Sequence, residues 1–336
     1  MATINNTVPS LLDQAKRTDP SGKIAAIVEL LSQTNEVLAD MPFVEGNLPT
    51  GHQTTVRTGL PQVFWRLFNG GVNPSKSTTV QIQEQSGMLE GWHEIDVDVA
   101  KLNGNSAEYR ASEATAFAES MNQEMASTLF YGNTGTDPEE FLGLSPRYGT
   151  ISGAANGSNI IDAGGTGSDN SSIWLVVWGP QSVFGIYPKG STAGLKHEDL
   201  GVQTIQTATG VGTGRMRAYQ DHWQWKLGIA LRDWRFVVRI ANIDISNLIA
   251  QSSAADLQER MIMATHRVPV GGLSMGRPVF YMNRTVFQML DIQRKDAVAA
   301  GGGVTWDTID GKRIPSFRGI PIRLVDALLE TEARVV

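Results

Sequence analysis

The sequence predicts an α+β fold in which a long helix precedes a mixed sheet. Three observations predict it. One stretch, Asn105 to Gly132, carries a helix signal with caps at both ends. Several strand-sized apolar runs follow residue 172, interrupted by only two short helical patterns. A two-stranded ribbon, Gly59 to Gln83, carries more aromatic surface than a ribbon can bury by itself. With 336 residues, 41% of them hydrophobic, the chain holds one large or two modest domains around a real core.

Residues 1–22 are polar and broken by Pro9 and Pro20, and read as an extended arm. "GKIAAIVELLSQTNEVLADM" then places Ile24, Ile27, Val28, Leu31, Val37 and Leu38 on a helical stripe, with Ser21 before it and Met41-Pro42 ending it. The ribbon follows. Its first strand is read over Val63 to Phe68: period two puts Val63, Trp65 and Leu67 on one face and Phe64, Arg66 and Phe68 on the other. The return strand is read over Thr78 to Gln83, and the tip between them, with Asn69-Gly-Gly and Asn73-Pro-Ser, has turn chemistry.

The long helix starts at a good N-cap, Asn105, with Glu108 three residues on as a capping-box partner. Ala114, Phe117, Ala118, Met121, Met125 and Leu129 share a stripe, and Gly132 stops it, which predicts a rod of about 37–40 Å. The Gly/Ser/Asn-rich stretch from Gly149 to Ser172 reads as surface loop. Beyond it, "IWLVVW", "SVFGIYP", "HWQWKLGIALRD", "WRFVVRIANIDI", "RPVFYM" and "GIPIRLVDAL" read as strands. "AADLQERMIMATHR" and an Asn283-capped "NRTVFQMLDIQRKDA" read as helices, and "VTWDTIDGKRIPSF" as a hairpin around Asp310-Gly311.

Composition narrows the function. With no cysteine, disulfides and thiolate metal sites are excluded. A net charge of −6 and a pI of about 5.4 argue against a dedicated nucleic-acid binder. No secretory signal opens the chain, and no apolar run reaches the roughly 18 residues of a membrane span, so a protein made in the cytoplasm with no membrane association is expected.

Candidate chemistry is thin. Gly272-Leu-Ser274-Met-Gly276 matches a nucleophile elbow, which makes a serine hydrolase using Ser274 one alternative, but a strand rather than a helix follows, and His266 lies upstream. "GGTGSDN" from Gly164 and "GVGTG" from Gly210 lack the strand-to-helix setting of phosphate loops. Glu94, Asp96 and Asp98 would share a strand face as metal carboxylates can, yet a solvated face is the simpler reading. His52, His197 and His222 have no ligand spacing. Trp223 and Trp225 share a strand face, which fits core packing better than the alternative of a carbohydrate-binding tail or adhesion protein. No catalytic, cofactor or metal residue is expected.

The order of parts and four stretches carry a resemblance: "TVRTGLPQVFWRLFNGGVNPSKSTTVQI", "MNQEMASTLFYGNTGTDPEEFLGLSPRY", "NIIDAGGTGSDNSSIWLVVWGPQSVFGIYPKG" and "RDWRFVVRIANIDISNL". Over nearly its whole length the chain resembles the major capsid proteins of tailed bacteriophages with the Hong Kong 97-like fold. That resemblance implies an N-terminal arm and short helix over 1–47, an extended hairpin loop over 48–104, a peripheral domain over 105–172 with its spine helix at 105–132, an axial domain with returning peripheral strands over 173–325, and a tail over 326–336. Some members are circularly permuted, so strand order stays open. It implies a non-enzymatic subunit of an icosahedral head, assembled in the host bacterial cytoplasm from hexamers and pentamers of itself. The shell would enclose double-stranded DNA without binding it specifically. Partners implied are a separate scaffolding protein, a portal protein and a decoration protein. Contacts between subunits would fall on Val63, Phe64, Trp65, Arg66, Leu67, Phe68 and Lys76, without covalent crosslinks.

Overall fold

Val, Ile and Trp runs bounded by Gly and Pro set the strands, and helix-period stripes set the three long helices. The computed structural model describes residues 8–9, 32–102, 106–206, 214–297, 304–309 and 312–336. The arm, most of the first expected helix, the Asn105 cap, the loop from Gly210 and the Asp310-Gly311 turn lie outside the described residues. In chain order come β1 (Phe43–Glu45), β2 (Gly51–Gly59), β3 (Thr78–Gln85), β4 (Gly87–Asp96), α1 (Ser106–Tyr131), β5 (Ile160–Asp162), β6 (Asn170–Trp178), β7 (Val183–Tyr187), β8 (Leu195–Gln206), β9 (Arg215–Leu231), β10 (Val237–Asp244), α2 (Leu257–Arg267), β11 (Arg277–Met282), α3 (Arg284–Ala297), β12 (Val304–Ile309), β13 (Lys312–Phe317) and β14 (Ile320–Leu324). The chain divides into two units, one of residues 1–35, 88–126 and 194–226, the other of residues 36–87, 127–193 and 227–336.

The second, larger unit is built on β6, every residue of which is buried, as its unbroken apolar run requires of a strand covered on both faces. β6 pairs antiparallel with β10 and with β11; β11 pairs parallel with β14, and β14 leads antiparallel into the β12–β13 hairpin. Beneath one face Ile173, Leu175 and Val177 pack with Met261 and Ala264 of α2 and Val286 and Leu290 of α3. On the other, Trp174 meets Phe130 at 6.0 Å and Tyr148 at 6.0 Å. Asn283 caps α3 through the Thr285 amide at 3.0 Å. Gly132 ends α1 as expected, because a side chain there would collide with the carbonyls of Thr128 and Phe141.

The expectation of a plain surface loop over Gly149 to Ser172 is corrected. It contains β5, which pairs parallel with β10, and Ile160 and Ile161 are buried. Asn159 holds that turn by donating to the Val237 carbonyl at 2.9 Å. Asn159 and Ser172 are hydrogen-bonded core within that stretch, which composition alone does not distinguish from loop.

In the smaller unit, β8 pairs antiparallel with the first part of β9, from Leu195↔Trp225 to Gln206↔Arg215, with a bulge between Asp199 and Val202. β4 borders β9 on the path of strand order and ends it. Residues of α1 cover one face of these strands: Phe117 lies 5.1 Å from the His93 ring, and Tyr109 packs with Ile95, Ala100 and Tyr219.

Candidate assembly interface

The ribbon of the larger unit is a two-stranded sheet of β2 and β3, but its first strand is not the aromatic one. Gly51 pairs Gln85 and Gly59 pairs Thr78, so the return strand takes the polar, β-branched "GHQTTVRTG" as its partner. The expected strand over Val63 to Phe68 is therefore corrected: residues 60–77 form no strand. Pro61 supplies no backbone N–H, and among the described residues no other strand borders this segment, so the alternation of apolar residues has no described ladder to join.

The base of this ribbon is fixed. Glu84, buried, takes a two-pronged ion pair from Arg147 at 2.6 and 2.7 Å, and Arg147 also donates to the carbonyls of Leu142 and Gly143. His52 stands edge-on to Phe184 with ring centroids 5.5 Å apart. Burial, then the positive charge of Arg232, holds the His52 pKa below its ordinary 6.5. Gln53 bonds Gln81 across the strands at 2.8 Å and exchanges two hydrogen bonds with Asn47.

The tip has the opposite character. Trp65 is 104% exposed and Phe68 99%, and Val63, Phe64 and Leu67 are exposed as well. Arg66 and Lys76 stand in solvent among them. Local bonds order the backbone: Ser75 Oγ donates to the Gln62 carbonyl at 2.6 Å and the Gly70 amide to the Leu67 carbonyl at 3.1 Å. Asn69 takes the left-handed conformation that asparagine tolerates. The tip thus presents a run of exposed apolar side chains on an ordered base.

The residues behind the catalytic and ligand alternatives are, among the described residues, engaged elsewhere. Gly272–Ser274 is a single helical turn that leads into β11, and Ser274 Oγ donates to the Gly271 carbonyl at 2.7 Å. Asp96 caps the turn Val97–Ala100 through the Asp98 amide, and Glu94 accepts from Gln220 at 2.9 Å, so the three carboxylates are not gathered. Among the described residues no three His, Asp or Glu side chains are placed to hold a metal. Trp223 is buried and stacked on His197 at 4.0 Å, in line with core packing. No described helix is long and apolar enough to cross a membrane.

Sequence reasoning missed two clusters. In the smaller unit, Arg110 bridges Asp221 and Asp199, both at 2.8 Å, and His93 lies 3.6 Å from both Asp221 and Glu113. In the larger unit, Glu332, near the end of the chain, meets Arg239 at 2.8 Å and accepts from Tyr131 and Ser172. A charged residue in the interior of an apolar run, Arg239 within "RFVVRIANI", was the available signal, since a buried arginine demands a partner.

Comparison with known proteins decides the family. The family described as major capsid protein GP7 matches residues 19–336. The chain belongs to this family. The near-atomic structure of bacteriophage Epsilon15 is 37% identical, with a TM-score of 0.78, covering 100% of this chain and 99% of that one. More distant likenesses include the capsid of the Myoviridae phage XM1, 10% identical with a TM-score of 0.42 over 65% of this chain and 96% of that one. No curated protein matches the sequence. This GP7-family protein is thus a tailed-phage major capsid protein, a subunit that builds the capsid shell with copies of itself and is part of the virion.

Proposed function

We propose that the subunit joins its neighbours through the β2–β3 ribbon, with Val63, Phe64, Trp65, Arg66, Leu67, Phe68 and Lys76 as contact residues. The observation that carries this reading is the contrast within one element, an ion-paired base and a fully exposed aromatic tip. The tip gains burial only on another molecule, and each Trp or Phe brings roughly 150–250 Å² of surface to such a contact. Under the same reading the head is icosahedral, made of hexamers and pentamers, and surrounds double-stranded DNA. The acidic wall lets that DNA move without specific binding. The parts of the fold take the roles of arm, extended loop, spine helix at α1 and axial domain, and the 26-residue length of α1 suits the spine role. A scaffolding protein, a portal protein and a decoration protein complete the head. Assembly takes place in the host cytoplasm, and the subunit has no catalytic role.

Trp65→Ala is the direct test. Truncating a central aromatic anchor costs about 2–4 kcal/mol per contact, repeated at every subunit. Particles counted by electron microscopy should disappear, while circular dichroism and thermal melting of the soluble subunit stay unchanged. A parallel loss of folding would place Trp65 in the subunit's own core and end the reading.

A further inference from the structure

Basic residues are not spread evenly along the chain. Residues 260–290 carry Arg260, Arg267, Arg277 and Arg284 and no Asp or Glu, and residues 311–325 carry Lys312, Arg313, Arg318 and Arg323 and again none. Those eight leave 20 basic residues against 34 acidic ones elsewhere, so +8 stands against a remainder of −14 (28 − 8 = 20; 20 − 34 = −14). The larger unit brings the two segments together, because β11 of the first pairs parallel with β14 of the second.

Three of the eight are neutralised inside the unit. Arg277 and Arg323 each reach Asp40 at 3.3 Å, Arg323 also reaches Glu36 at 3.4 Å, and Arg284 meets Asp326 at 2.8 Å. Arg267 and Arg318 are exposed and meet no carboxylate among the described residues. Arg318 turns instead to the end of α2, where its Nη1 donates to Thr265 Oγ1 at 3.3 Å and lies 3.5 Å from His266 Nε2. A guanidinium and an imidazole that face each other without an acid can both bond a carboxylate brought to them. The backbone is a second observation. Arg318 and Gly319 make the two-residue turn from β13 to β14, with φ of +54° and +79°. Such a turn favours Asn, Asp or Gly, and a long side chain is unfavourable at its first position. The turn therefore does not call for an arginine, and the use of that side chain lies in what it reaches.

Apolar groups border the same place. Ile262, one helical turn before His266, is 40% exposed. Val270, four residues after it, is 107% exposed, and Met275 is 62% exposed. A nucleic-acid backbone would pair with the guanidiniums and leave these side chains in water, whereas a peptide with carboxylates and apolar side chains covers both. On this chain the carboxylates beside the exposed Met88 and Trp92 are already engaged, Glu90 by Gln224 and Glu94 by Gln220, which favours a separate protein over a second copy.

We infer that the surface of Ile262, His266, Arg267, Val270, Met275 and Arg318 docks an acidic segment with apolar side chains, borne by a separate protein. It is a different surface from the ribbon and does not depend on the contact proposed for the ribbon.

Fluorescence anisotropy with the full chain tests it. The probe is a fluorescein-labelled peptide, ELLEELLEELLE; the controls are the same peptide with Lys in place of Glu, and a labelled DNA duplex. The acidic peptide should bind saturably and the lysine peptide should not. Arg318→Asn should keep or raise the melting temperature, since asparagine suits that turn, yet weaken peptide binding about tenfold. Arg267→Gln should weaken binding with an unchanged melting temperature, and it decides the matter if Arg318→Asn proves less stable. Absence of peptide binding overturns the inference, as does binding that both variants leave intact. Loss of binding in Trp65→Ala overturns it by moving the peptide to the ribbon tip. A duplex that binds more tightly than the peptide overturns it in favour of nucleic acid. Self-association that Arg318→Asn abolishes and the peptide does not displace overturns it in favour of a second copy.

Discussion

Two segments of the larger unit differ in where their side chains find partners. Residues 60–77 carry Phe64, Trp65 and Phe68 and stand in solvent; residues 326–336 seat Leu328, Glu332 and Val335 in the interior. The difference lies in partners. Glu332 meets the guanidinium of Arg239, and the amide and carbonyl of Val335 pair with Asn242 at 2.8 and 2.9 Å. Burial and the negative charge of Glu332 hold the Tyr131 hydroxyl well above its ordinary pKa, so it stays a donor to that carboxylate. Nothing comparable waits for Trp65 within the described residues. The tail completes the fold, and the ribbon tip stays exposed.

Breaking the tail should produce the largest effect. Glu332→Ala strands a buried guanidinium, which costs about 3–5 kcal/mol, and chemical denaturation should show it as a lower midpoint with the shell lost because the subunit unfolds. Trp65→Ala should reverse that pattern, removing particles and leaving the midpoint in place. Glu84→Ala sits between them: it frees Arg147 at the ribbon's base, with an expected loss of about 2–3 kcal/mol. Hydrogen exchange should accelerate in Gly51–Gly59 and stay unchanged in β6.

Smaller effects follow from titration. His52 has a folded pKa below 6.5, so the unfolded chain takes up its proton first as pH falls. Its contribution is full above about pH 6.5 and is lost as pH drops through the folded value. The melting temperature should decline modestly from pH 7.5 to 5.5, and His52→Gln should flatten that slope. The smallest effect concerns Asp199, whose hydrogen bond from Arg110 holds its pKa below the ordinary range. That contribution is present above about pH 4 and lost below it, and the side chain's exposure keeps it slight. Arg110→Gln should narrow the difference in melting temperature between pH 5 and pH 3.

The sequence disclosed elements whose signal is local. α1 and α3 fall within a residue or two of their expected bounds, and β6 ends where its apolar run ends but begins three residues ahead of it, at Asn170, because caps, glycine stops and apolar runs act over a few neighbours. It misplaced what depends on a distant partner. Alternation from Val63 to Phe68 describes two faces but not an edge, and the edge of β3 was taken by Gly51–Gly59. The buried strand Ile160–Asp162 was hidden in a polar stretch because β10 supplies its ladder from far along the chain. Of the proposed interface, the ribbon residues were legible as an apolar excess with nothing in the ribbon to bury it.

The bulge between Arg57 and Gly59 gives the ribbon a mechanical property. At about 3.3 Å per residue, the nine residues of β2 make an arm of about 30 Å. It is clamped at one end by Glu84 and Arg147, and the bulge bends the strand just before its far end. A tilt of about 10° at the clamp carries the tip roughly 5 Å sideways over an arm of that length. If the ribbon is the contact proposed above, a lever of this kind would let identical subunits meet neighbours set at different angles, so one sequence would serve both flat and sharply curved places in a closed surface.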